Sequence, residues 1–155
     1  MNGTSNWLVH DHRKYEAVLD ECELAAGVGE WKKAKQLFHQ FVEDLKLHMR
    51  MEDEVLYPFF KKEFGDPDGE IIELGHEHDN IVRLMHDLAY VIKTNDIDHF
   101  EESLKPLHKS MLEHNEHEED VFLRMGSDSL LLRRDEILER LSAMQNKESK
   151  RIWDF

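Results

Sequence analysis

The chain has 155 residues, 40% of them apolar and only three of them proline, which is the size and composition of one folded domain rather than a disordered segment. A net charge of −14 repels phosphate backbones and anionic lipid, so neither a nucleic acid nor a membrane is expected as partner. The one cysteine, Cys22, excludes an internal disulfide and any Cys-x-x-Cys motif.

The N-terminus, Met1 to Trp7, has no basic stretch followed by an apolar run, and no segment reaches the length of a membrane-spanning helix. A cytoplasmic protein is therefore expected. Glycine and small polar residues at Gly27 and Gly29, at Gly65-Asp-Pro-Asp-Gly69, at Thr94-Asn-Asp96 and at Gly126-Ser-Asp128 divide the chain into segments too long for strands. Apolar residues recur within each at steps of three and four. The first segment carries Leu8, Tyr15, Leu19 and Cys22, and the second Phe38, Phe41, Leu45, Val55 and Phe59. The third carries Ile71, Leu74, Ile81, Met85, Leu88 and Ile92, and the fourth Leu104, Leu107, Met111, Val121 and Met125.

These patterns predict four helices at roughly 6–26, 30–64, 69–93 and 97–125, with Pro58 kinking or ending the second early. Pro106 is expected to kink the fourth or push its start later. Short connections make neighbours antiparallel, so the expected fold is an all-α, up-down-up-down four-helix bundle within a single domain. A fifth helix at about 128–149, with Leu130, Ile137, Leu141 and Met144 on one face, is expected to follow, and Trp153 and Phe155 to dock the tail.

The stripes are interrupted where an apolar residue is due. His12 falls on the first seam, His48 and Glu52 on the second, His78 on the third, and His114 and Glu118 on the fourth. A lone histidine on such a seam is more often a satisfied core group than a ligand. Six at matched heights, including two carboxylates and no cation, are expensive to bury unless metal holds them. His-x-x-x-Glu sets both side chains on one face a turn apart, and two copies lie wholly on the seams, His48-Met-Arg-Met-Glu52 and His114-Asn-Glu-His-Glu118.

An offset of 66 residues relates His12 to His78, His48 to His114 and Glu52 to Glu118 without a gap. The same offset relates Leu8 to Leu74, Tyr15 to Ile81, Leu19 to Met85, Cys22 to Leu88, Leu45 to Met111 and Val55 to Val121. Two facing copies of a helical hairpin give a pseudo-two-fold site. His10 and His76 also pair, but they lie about 200° from His12 and His78 around a helix and are not expected as ligands. His117 is one position off its seam, and His39, His86, His99 and His108 fall outside the pattern. The one Glu-x-x-His spacing, Glu73-Leu-Gly-His76, has no counterpart on a second helix and is read as chance.

If both glutamates bridge, each of two metals has two imidazoles and two carboxylate oxygens, leaving room for a solvent bridge and an open position. Structural zinc usually takes four ligands, often thiolates, and calcium and magnesium prefer oxygen shells. Mixed ligation with open positions suits two iron ions, Fe2+ or Fe3+ with an oxo or hydroxo bridge, ahead of manganese or zinc.

At these residues the chain resembles the hemerythrin-like, or HHE cation-binding, family over roughly 8–125. The resemblance rests on Asp11-His12, on His48-x-x-x-Glu52 followed by Asp-Glu-Val-Leu-Tyr-Pro, on Glu77-His78, and on His114-x-x-x-Glu118 followed by Glu-Asp-Val-Phe-Leu. It implies a non-haem di-iron centre inside a four-helix bundle. The oxygen carriers of the family use five histidines, with His-x-x-x-His on the third helix, where this chain has Leu74 one turn before His78. The four-histidine, two-glutamate pattern looks closer to relatives linked to repair of iron–sulfur centres under nitrosative or oxidative stress. The function implied is reaction of a redox-active centre with a small diatomic or peroxide: O2, NO or H2O2. The alternative is a sensor or iron-binding module that acts through a protein partner, and a third reading is a metal-stabilised bundle without reactivity.

Overall fold

A computed structural model of the chain describes residues 4–125 and Glu139, with side chains described from Asp11 to Arg124 and at Glu139. The first helix, α1, spans Thr4–Gly27, and α2 spans Trp31–Met51. A π-helical turn, Glu52–Leu56, leads without a break into α3, Tyr57–Phe64. Helix α4 spans Glu70–Val91 and closes in a 3-10 turn at Ile92–Thr94, and α5 spans Ile97–Met125. The predicted boundaries of all four bundle helices hold to within a few residues. The fifth helix predicted at 128–149 lies outside the described residues, apart from Glu139, which is helical. The side chains of Leu8, His10, Met125, Trp153 and Phe155 lie outside them too.

The helix ends follow from local chemistry. Gly29 at φ +80° and Gly65 at φ +75° adopt the left-handed backbone that L side chains avoid. Asp66 accepts from the Ile71 and Ile72 N–H groups at 3.0 and 3.1 Å and so caps α4. Asp96 accepts from the His99 N–H at 3.2 Å and caps α5. Pro106 does not push the start of α5 later, since it lies inside a helix that begins at Ile97. It sits on the exposed face with exposed Glu102, whose carbonyl it leaves without a donor but within reach of water.

The second bundle helix departs from expectation. Pro58 has no N–H to give back to the preceding turn, and the chain responds upstream of it by widening. The Tyr57 N–H donates to the Glu52 carbonyl, five residues back. The extra residue slips the seam by one position, so that Phe60 is fully buried and Phe59, which the sequence pattern places in the core, is only partly so.

Helix α1 packs along α2, α4 along α5, and the two hairpins meet through α1 on α5 and α2 on α4. The apolar core is in two parts. The larger includes Leu19, Phe41, Met85, Phe100 and Leu107, and the smaller includes Val55, Phe60, Leu74 and Phe122. Each large side chain contributes about 1.5–3 kcal/mol on burial. The six polar seam residues lie between these two apolar layers. Among the described residues no helix is long and apolar enough to cross a membrane.

Candidate metal centre

All six predicted side chains are brought together and buried: His12, His48, Glu52, His78, His114 and Glu118 are each at most 5% exposed. They fall into two groups whose facing atoms lie within 4.8 Å of one another, His12 with His48 and His78 with His114, and both groups include Glu52 and Glu118. Each glutamate divides its oxygens between them. Glu52 Oε2 lies 2.9 Å from His48 Nε2, while its Oε1 lies 2.9 Å from His78 Nε2 and 4.0 Å from His114 Nε2. Glu118 Oε1 lies 2.9 Å from His12 Nε2, and its Oε2 lies 3.7 Å from His114 Nε2.

The outer ring nitrogens are held by carboxylates that lie off the apolar seams and to which the sequence reading gives no role. His12 Nδ1–H donates to Glu119 at 2.7 Å, His78 Nδ1–H to Asp53 at 2.9 Å, and His114 Nδ1–H to Glu77 at 2.7 Å. His48 Nδ1 has Asp11 at 4.0 Å. Each of these acids is the sequence neighbour of one candidate ligand and serves the imidazole of another helix. The 66-residue offset pairs Asp11 with Glu77 and Asp53 with Glu119, and that is the signal by which they could have been found. A proton fixed on Nδ1 turns the Nε2 lone pair inward, the arrangement that orients imidazoles on metals.

Two features show that the donor set fits cations. With Nδ1 protonated, the Nε2 lone pairs of His78 and His114 face one another at 3.1 Å, which repels unless a positive charge lies between them. His48 Nε2 and Glu52 Oε2 are buried 2.9 Å apart without the alignment of a hydrogen bond, as atoms aimed at a shared third partner would be.

Electrostatics agree. Burial pushes the His12 imidazole down, but the carboxylates of Glu118 and Glu119 outweigh it and raise the pKa to about 10. Burial likewise opposes protonation of His78, and Asp53 and Glu52 raise it to about 10. Burial works against the Glu52 carboxylate, yet His48 and the hydrogen bonds around it hold it well below the usual range. Burial and the charge of Glu52 push Glu118 the other way, so the second buried carboxylate resists ionisation. Protons thus stand in for the positive charge that cations would bring.

Tyr57 also enters the site. Its O–H donates to Glu118 Oε2, its oxygen lies 3.3 Å from His78 Nε2, and its ring stacks on His78. Burial and the neighbouring Glu118 keep the phenol protonated. His76 is exposed and takes no part, as the helical geometry predicts. His117 is half-buried and donates through Nδ1 to Glu77 Oε2 at 2.8 Å, which places it one step outside His114. His39 and His99 are exposed.

No curated protein and no solved structure matches the chain. The family model described as the hemerythrin HHE cation binding domain matches residues 4–125, the whole of the described bundle. With its buried cluster of imidazoles and carboxylates between four helices, the chain belongs to the hemerythrin HHE cation-binding family.

Proposed function

We propose that the six buried residues hold two iron ions, and that the protein is a redox-active di-iron protein meeting O2, NO or H2O2. His12 and His48 would serve one ion, His78 and His114 the other, and Glu52 and Glu118 both. The observation that carries this reading is the division of each glutamate's two oxygens between the two pairs of imidazoles. Iron held there would supply one-electron redox chemistry and Lewis acidity toward a small ligand.

The chain's own part is to hold that site. Asp53, Glu77 and Glu119 keep the Nδ1 protons in place, so that His78, His114 and His12 present Nε2 inward. The apolar layers above and below exclude bulk water, which favours a small uncharged ligand over a large polar substrate. Tyr57 donates a hydrogen bond at the Glu118 carboxylate.

The test is to reconstitute the protein anaerobically with ferrous iron, measure iron per chain, then admit O2, NO or H2O2 and follow the visible spectrum. Two irons per chain and a lasting spectral change are expected. Saturation at one iron by a folded chain would refute the two-metal site. Oxygen binding that vacuum reverses through many cycles would refute the reactive reading and identify a carrier.

A further inference from the structure

We propose that Tyr57 closes the coordination position beside His78 and His114, so that a small ligand reaches the pair of ions only at the end held by His12 and His48. This rests on the two-metal reading above. The 66-residue repeat by itself implies a near-symmetric centre with equal access at both ends. Tyr57 breaks that symmetry, and the backbone shows how.

In an α-helix a step of five residues turns a side chain roughly 140° away from its starting face. Tyr57 lies five residues after Glu52 and, on an unbroken α-helix, would leave the site. The π turn at Glu52–Leu56 restores it, with the Tyr57 N–H bonded to the Glu52 carbonyl. The ring then stacks on His78 at 5.5 Å and 21° and packs against Phe122 at 6.0 Å, and its oxygen meets Glu118 Oε2 and His78 Nε2. The phenol oxygen thus stands beside His78 Nε2 and the Glu118 oxygen that faces His114. Its own repeat mate is Leu123, on a part of α5 that is regular α-helix, and Leu123 is 63% exposed. At the other end Tyr15 meets His48 through a ring edge at 5.0 Å. The extra residue of the π turn therefore makes the two ends chemically different, although the six charged and imidazole residues are matched.

Azide is a suitable probe, because it adds to open positions on ferric iron and gives a visible charge-transfer band that can be titrated. The oxidised, iron-loaded protein should saturate at one azide per chain. Tyr57→Phe keeps the ring and its packing and removes only the oxygen. Tyr57→Ala opens more room for a three-atom anion. With two irons still bound, at least one of these variants should take a second azide per chain. Two azides on the unchanged protein, or one azide on both variants, would overturn the inference while leaving the two-metal site intact. A folded, unchanged protein that holds one iron would overturn the site and this inference together.

Discussion

Removing the metal should make stability fall steeply with pH, because protons then supply the charge that cations otherwise bring. His12 and His78 both titrate near 10 in the folded chain against 6.5 for an ordinary imidazole. A raised folded pKa means that the folded state binds more protons than the unfolded one. The stabilisation is complete below about 6.5 and is lost as pH rises toward about 10. Glu101, raised to about 7 by burial and Glu23, loses its contribution in the same direction but lower down, so the informative window is pH 7.5 to 9.5. Within it each retained proton destabilises folding by ~1.4 kcal/mol per pH unit, so two imidazoles over two units amount to about 5 kcal/mol. For a domain of this size that corresponds to a melting temperature about 10–20 °C lower. The assay is thermal unfolding by circular dichroism at several pH values, for metal-free and iron-loaded protein in parallel. The loaded protein should show little dependence, because metal binding displaces the same protons. A metal-free melting temperature that stays level or rises across the window would refute the reasoning.

Asp53→Asn, Glu77→Gln and Glu119→Gln should each weaken metal affinity about 10–100-fold in a chelator competition, while the same change at exposed Asp98 has no effect. Glu52→Ala or Glu118→Ala should lose metal far more than changes at His39 or His99, as read by metal content after dialysis. His48→Leu combined with Glu52→Leu should raise the melting temperature of the metal-free protein, because apolar residues relieve the burial of charge. Metal loading should stabilise the unchanged protein by several degrees or more, and a melting curve unaffected by chelation would contradict the burial of the site.

The sequence by itself determined the helices, their ends and the six polar seam positions. Those depend on local properties: the 3.6-residue period, the left-handed backbone at Gly29 and Gly65, and capping side chains such as Asp66 and Asp96. The 66-residue repeat also showed in advance that the two halves would bring matched residues to one height. What only the tertiary structure decided is how these residues pair. Asp11, Asp53, Glu77 and Glu119 each reach an imidazole on a different helix, so their role depends on which helices pack side by side. The π turn was not legible either, since the sequence places Pro58 but leaves open whether the chain kinks, stops or takes in an extra residue. That choice moved Phe60 rather than Phe59 into the core and carried Tyr57 into the site. A one-residue slip leaves the composition unchanged but turns every later side chain on the helix by about 100°, and packing alone selects among the registers.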